Sequence, residues 1–139
     1  MEFKFKFKNI ELTSKEMVEP PPDLPYVSFK YNIRVETRVQ SEIKSVLIIV
    51  KVIISDEKTD VFLAKVNAIC VFEVVDFEKH IVLNEDGLYT IPPSLENTIR
   101  PVSISTVRGI IYSEFRGTYL GSSIMPVVFM SDFVEENKK

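Results

Sequence analysis

The sequence predicts an α+β domain: a four-stranded antiparallel sheet with a crossover between strands one and two, then one long helix and a short C-terminal tail. Among 139 residues, 18 Val and 15 Ile stand against 8 Leu, and β-branched side chains favour strands. Four segments in the first half of the chain alternate in polarity, or are continuously apolar, over strand length. After residue 100, one segment places apolar residues at helical spacing. We expect residues 1–139 to form a single domain, because this length suits one core.

The first strand is predicted from an alternation of aromatic and basic residues. Residues 3–8 alternate Phe with Lys, so a strand places three rings on one face and three ammonium groups on the other. A platform for single-stranded nucleic acid is the less favoured interpretation, because it would need rings and charges on the same face. The formal net charge of −3 also gives no overall attraction for nucleic acid, and we expect no nucleic-acid partner.

A proline-rich segment, residues 13–25, separates the first strand from the second. It holds four of the 8 prolines, which fix the backbone and remove amide donors. A tight hairpin cannot be built from such a segment. We therefore expect an extended crossover that passes the edge or the end of the sheet.

Three further strands are predicted between residues 26 and 77. Residues 26–39 alternate in polarity, which indicates one solvated face. Residues 43–55 follow, and positions 46–54 are apolar except for one lysine, so this strand is predicted to be buried on both faces. In residues 60–77 the set with even numbers, from Phe62 to Val74, is predicted to face the core. Short polar turns join these strands, which predicts an antiparallel sheet.

The long helix is predicted over residues 101–116. Pro101 suits the first helical position, and Gly117 suits the position just past the end. Residues 80–100 are predicted to be irregular, with a turn at residues 84–87. The buried stripe of the helix is predicted to contain Ile104, Val107, Ile111 and Phe115.

One helix cannot cover both faces of the strand at residues 46–54. We therefore expect a second copy of the chain to supply the missing cover, which makes the protein a homo-oligomer. The N-terminus has no apolar stretch typical of a signal peptide, and nine apolar positions are too few to cross a bilayer as a helix. We expect a cytoplasmic protein without membrane insertion.

The chemistry of catalytic and metal sites is scarce in this sequence. The one histidine, His80, lies in a polar segment, and the one cysteine, Cys70, lies in the predicted core face of a strand. The chain has 4 glycines and no phosphate-binding loop motif. We expect no enzymatic activity, no cofactor and no metal.

Two segments, one at the end of the predicted helix and one in the tail after it, resemble the SecB family of export chaperones. In that family a long helix ends in an Arg-Gly-Thr-aromatic step, and Pro-Val-x-Phe follows at a fixed distance. The matching residues here are Arg116, Gly117, Thr118, Pro126, Val127 and Phe129. Residues 61–66 and 70–72 also resemble the family's fourth strand, and the stretch ending at Pro25 resembles its crossover.

The resemblance implies an ATP-independent holdase that binds unfolded polypeptides or preproteins in apolar grooves, in support of protein export. It implies a homotetramer built as a dimer of dimers. The family docks the SecA motor on an acidic patch, and the corresponding positions here are Asn9, Thr13 and Lys65, so SecA as a partner stays open. The residues we expect to contact a client peptide are Met17, Val18, Leu24, Tyr26, Phe72, Val74 and Tyr119.

Two alternatives remain at this point. The first is an oligomeric interaction module for one dedicated partner, such as a SecB-like chaperone that stabilises an antitoxin. The second is a small-molecule-binding domain, which would require a closed pocket with converging polar groups.

Overall fold

The computed structural model describes residues 4–19 and 28–122. It has the predicted α+β architecture, a four-stranded antiparallel sheet followed by a long helix. The long strands are β1 (Phe5–Met17), β2 (Phe29–Gln40), β3 (Ser45–Asp56) and β4 (Phe62–Val74). They are followed by α1 (Phe77–His80), β5 (Val82–Leu83), β6 (Tyr89–Thr90) and α2 (Pro93–Glu114).

The spatial order of the large sheet is β1-β4-β3-β2, with every neighbouring pair antiparallel. Consecutive strands β2, β3 and β4 are neighbours, as their short turns predict. The strands β1 and β2 lie at opposite edges, which confirms the predicted crossover between them. The middle of the crossover, residues 20–27, lies outside the described residues.

The core lies between α2 and one face of the sheet. The predicted inward set of β4 is confirmed from Ala64 to Val74, whose even-numbered residues are all buried. Phe62 is only partly buried and Leu63 is buried instead, next to a register shift in the β3–β4 ladder. The predicted helix stripe is also confirmed: Ile104, Val107, Ile111 and Phe115 are buried, joined by Leu95 and Ile99. Burial raises the pKa of the Cys70 thiol, which therefore packs as a small apolar group and not as a thiolate.

The strand β1 is longer than its sequence pattern predicts. Residues 13–17, predicted to begin the crossover, belong to β1 and pair with β4 as far as Met17 opposite Ala64. Two β-bulges, between Phe7 and Asn9 and between Leu12 and Ser14, each insert one residue. Each bulge shifts the alternation by one position, which conceals the strand from a search for a strict period of two.

The helix α2 starts eight residues before the predicted start, at Pro93, and Pro101 lies inside it. Both prolines suit a first helical position, and the helix begins at the earlier one, Pro93. The predicted turn at residues 84–87 is confirmed, since the Asn84 side chain accepts hydrogen bonds from the amides of Asp86 and Leu88, both at 3.0 Å. The rest of residues 80–100 is more regular than predicted, with the β5–β6 hairpin ahead of α2.

Within one chain, β3 is covered on one face only. Its helix-facing side chains, such as Ile48 and Val50, are fully buried. On the opposite face Ile49 and Ile53 are only partly buried, and Lys51 is exposed. Burial of both faces requires the second copy of the chain that we expect, and it stays a prediction. Within the described ranges, no helix is long and apolar enough to span a membrane.

Candidate functional site

The strand β1 carries exposed apolar side chains on the side of the sheet that also holds α2. Their partners across the β1–β4 ladder belong to the buried face of β4, which fixes the side on which they lie. They are between 37% and 44% exposed. We call this set the apolar row: Phe7, Ile10, Leu12 and Met17.

The two β-bulges place these four side chains on one face. Phe7 and Ile10 are three residues apart, and Leu12 and Met17 are five apart, so a regular strand would send the members of each pair to opposite faces. One extra residue in each interval restores the common side. The bulges therefore bring four apolar side chains from an irregular sequence onto one side of the strand.

The apolar row is exposed because α2 packs mainly on β3 and β4. It contacts β2 through Arg100 and β1 through Glu114, near its own C-terminal end. There Lys15 Nζ lies 3.1 Å from Glu114 Oε1 and 6.0 Å from the centroid of the Phe115 ring. Lys15 is the one charged side chain between Leu12 and Met17 on this side. The apolar row thus lies beside the C-terminal half of α2, and the ion pair between Lys15 and Glu114 crosses it.

Aromatic rings form one end of the apolar row. The ring centroid of Phe72 lies 4.5 Å from that of Phe7 and 5.8 Å from that of Phe5. Phe72 is fully buried under these rings, and Val74 is 3% exposed. Both were predicted to contact a client peptide, but the structure places them in the core, and Phe7 carries the exposed surface at this end.

Val18 and Tyr119 lie at the opposite end of the apolar row. The Tyr119 hydroxyl donates a hydrogen bond to the carbonyl oxygen of Val18 at 2.9 Å, and the Val18 amide donates to the carbonyl oxygen of Leu63 at 2.9 Å. Burial raises the pKa of Tyr119, so its hydroxyl stays protonated at neutral pH. These bonds fix the end of β1 against β4 and against the segment that follows α2.

The Arg116–Tyr119 motif turns the chain so that Tyr119 reaches β1. Gly117 has φ +82, in the left-handed region that glycine adopts without strain. The Thr118 hydroxyl donates to the carbonyl oxygen of Phe115 at 2.6 Å and accepts from the amide of Leu120 at 3.1 Å. Gly117 and Thr118 therefore shape the exit from α2.

The structure brings together three of the seven residues predicted to contact a client: Met17, Val18 and Tyr119. Leu24 and Tyr26 lie outside the described residues, as do Pro126, Val127 and Phe129 of the second motif. Sequence reasoning missed Phe7, Ile10 and Leu12, which a strand drawn through to Met17 with its bulges would have identified. Client contact at each of these positions stays a prediction.

The site offers apolar surface and little chemistry. Residues 4–19 and 28–122 contain no group of three or more His, Cys, Asp or Glu side chains arranged to hold a metal ion. The one cysteine, Cys70, is buried in the core. The arrangement suits the binding of an apolar chain segment.

Comparison with known proteins gives structural neighbours alone, because no family model and no curated protein matches the chain. One neighbour is a protein of unknown function from Streptococcus agalactiae, at 10% identity over 93% of this chain and 100% of that chain, with a TM-score of 0.44. Another neighbour is a SecB-like chaperone from Mycobacterium tuberculosis, in complex with a ChAD peptide from the HigA1 antitoxin. It shares 12% identity over 89% of this chain and 87% of that chain, with a TM-score of 0.61. The chain therefore has the fold of a SecB-like chaperone.

Proposed function

We propose that this protein is a polypeptide-binding chaperone of the holdase type, which binds apolar segments of non-native chains on the apolar row. The observation that carries the proposal is the row itself, four large side chains between 37% and 44% exposed and aligned on one side of an edge strand. Soluble proteins seldom expose contiguous apolar surface of this kind without a binding role.

The geometry favours an extended client segment. The row follows the strand axis, so an extended chain lying along it would meet the row with its alternate side chains. Covering a few hundred Å² of apolar surface contributes roughly 5–8 kcal/mol before the cost of ordering the bound segment. Such affinity is moderate, which suits a protein that must also release its client.

We propose binding without catalysis and without a cofactor. The apolar row carries no nucleophile and no general base, and its one neighbouring charge, Lys15, is engaged by Glu114. Assembly as a homo-oligomer, residence in the cytoplasm and a role in protein export belong to the same proposal and rest on the resemblance to SecB.

An interaction module for one dedicated partner is the second candidate. The observation that favours it is the SecB-like neighbour, which was solved with a peptide from an antitoxin. The two candidates differ in breadth: a holdase binds unrelated unfolded chains with similar affinity, whereas a dedicated module prefers one sequence by orders of magnitude.

The test is suppression of aggregation, measured by light scattering of chemically unfolded model proteins at equimolar chaperone. We expect the wild-type protein to suppress aggregation and the pair Ile10→Asp with Leu12→Asp to lose most of this effect, because two carboxylates would have to be desolvated by the client. The matched control is Val82→Asp with Leu83→Asp on the β5–β6 hairpin, where both residues are about equally accessible, at 54% and 55% exposed. Loss of activity in the control alone, or no suppression by the wild type of any client, would contradict the holdase proposal.

A further inference from the structure

The strand β1 lies at one edge of the sheet, with the apolar row along it. Among the described strands only β4 pairs with β1, and the other edge of β1 has no strand partner. All residues of β1 except Phe5 and Ser14 are exposed. The backbone N–H and C=O groups along this free edge are therefore open to hydrogen bonds with a further strand.

Backbone hydrogen bonds at the two ends of β1 fix the pattern of the β1–β4 ladder. The Val75 amide donates to the carbonyl oxygen of Lys4 at 2.9 Å, and the Val18 amide donates to the carbonyl oxygen of Leu63 at 2.9 Å. Directly opposed residues of antiparallel strands alternate between hydrogen-bonded and non-hydrogen-bonded pairs. The pairs between these two ends therefore alternate as well, with one extra residue at each bulge.

The apolar row directs its backbone groups to the free edge. Counting inward from the two end pairs places Phe7 and Met17 in non-hydrogen-bonded pairs, so their N–H and C=O groups point away from β4. The Ile10 amide donates to the side-chain oxygen of Asn9 at 2.9 Å, as expected of a group that points away from β4. Leu12, two residues further along the same strand, has the same direction. All four members of the row thus present both their side chains and their backbone donors and acceptors to a segment lying along this edge.

The free edge of β2 differs, because a side chain of α2 closes it near its middle. The Glu57 amide donates to the carbonyl oxygen of Ser28 at 2.8 Å, and the same alternation directs the Val35 carbonyl group to the free edge of β2. Arg100, only 6% exposed, donates to this carbonyl oxygen at 2.8 Å. A strand added at β2 would have to displace a buried guanidinium group from its acceptor, which leaves β1 as the accessible edge.

We propose that a client polypeptide binds by adding a strand to the free edge of β1, antiparallel to it. The proposal rests on the polypeptide-binding function and specifies the geometry of binding. In an antiparallel pair, the client residues directly opposite the apolar row exchange backbone hydrogen bonds with it, and their side chains lie on the same side of the sheet. The preferred client is therefore an extended segment with apolar side chains at alternate positions.

The two bulges limit the added strand to short runs of pairing. Bulges and lysines are features that protect sheet edges from indiscriminate pairing, and β1 has both. Its bulges follow Phe7 and Leu12, and Lys6, Lys8 and Lys15 lie along it. A segment without apolar residues for the row gains little from so short a ladder. The edge therefore selects segments that match the row, and their binding is reversible.

Backbone methylation of the client tests the proposal with the wild-type protein, so that no variant has to fold. The probe is a short fluorescent peptide in which valine alternates with polar residues, and fluorescence anisotropy measures its affinity. N-methylation of the valines removes the donors that face β1 and should weaken binding at least about tenfold. N-methylation of the same number of polar residues is the matched control, because their N–H groups point away from β1, and it should change the affinity less than about threefold.

Equal affinities of the two methylated peptides would overturn strand addition and leave polypeptide binding through side chains in place, whereas no binding of the unmethylated peptide would overturn both. Amide exchange followed by NMR is the second measurement. The amides of Phe7, Leu12 and Met17 should gain protection on binding, and those of Lys6 and Glu16, which face β4, should not change. Protection of the first set in the free protein that disappears on dilution would mean that a second copy of the chain occupies the edge, and would likewise contradict the proposal.

Discussion

The two edge strands of the sheet carry similar apolar side chains on the helix-facing side, but α2 covers only one of them. On β2, Ile33 and Val35 are each 8% exposed, and Arg100 of α2 donates a hydrogen bond to the carbonyl oxygen of Val35 at 2.8 Å. On β1, Ile10 is 44% exposed. Because α2 runs obliquely from β2 toward the end of β1, the same type of residue becomes core at one edge and accessible surface at the other. Helix placement, and not residue type, therefore decides which edge of the sheet exposes apolar side chains.

Truncating one residue at each edge gives the largest expected difference. Ile33→Ala should lower the free energy of unfolding by roughly 2–4 kcal/mol, because it removes buried volume from the helix-facing side of β2. Ile10→Ala should lower it by less than about 1 kcal/mol, because its side chain is half in solvent, yet it should weaken client binding. Urea unfolding followed by circular dichroism measures the free energy of unfolding of both variants. Equal losses at the two edges would mean that β1 is also covered.

Removing the hydroxyl of Tyr119 has an intermediate expected effect on the end of the apolar row. Tyr119→Phe deletes the hydrogen bond to the Val18 carbonyl oxygen and should lower the free energy of unfolding by about 1 kcal/mol. Hydrogen exchange at the amide of Val18 should rise, because the end of β1 loses one of its two attachments. Unchanged exchange there would indicate that the bond to Leu63 alone holds the strand.

The smallest expected effect concerns Tyr31 on the covered edge, β2. Its hydroxyl is buried without a hydrogen-bond partner among the described residues, so Tyr31→Phe should be neutral or stabilising by up to about 1 kcal/mol at pH 7. Burial raises the pKa of Tyr31 to about 12. Above about pH 10 the unfolded state ionises first, so stability contributed by the protonated hydroxyl is lost between pH 10 and pH 12.

Comparing urea unfolding of Tyr31→Phe and wild type at several pH values above 9 checks this expectation. The variant should lose stability less steeply as the pH rises. Tyr112→Phe, at a position 51% exposed on α2, serves as the control. A slope that Tyr112→Phe alters and Tyr31→Phe does not would contradict the burial of the Tyr31 ring.

The contrast between the edges also shows how far sequence reasoning reaches. The core face of β4 from Ala64 onward and the buried stripe of α2 from Ile104 onward were predictable, because each keeps a regular period over that stretch. The extent of β1 was not, since its two bulges reset the period at Asn9 and Ser14. Phe72 was predicted both to face the core and to contact a client. In the structure the rings of Phe5 and Phe7 pack on the Phe72 ring and bury it, and the sequence pattern did not predict this packing.

The exposure of the apolar row depends on tertiary placement, which no local pattern encodes. Leu12 and Val35 are both apolar residues in edge strands, and they differ because α2 starts at Pro93 and ends at Glu114. The predicted start at Pro101 would have left the middle of β2 uncovered as well, since Arg100 could not reach Val35. The asymmetry between the edges became visible only once the helix was placed across the sheet.

Hydrogen–deuterium exchange with and without a bound unfolded polypeptide tests the central claim most directly. If the apolar row is the client site, peptides from Phe5–Met17 should gain protection on binding, whereas peptides from Phe29–Gln40 should not change. Protection confined to β2, or a bound client that leaves β1 unprotected, would contradict the account.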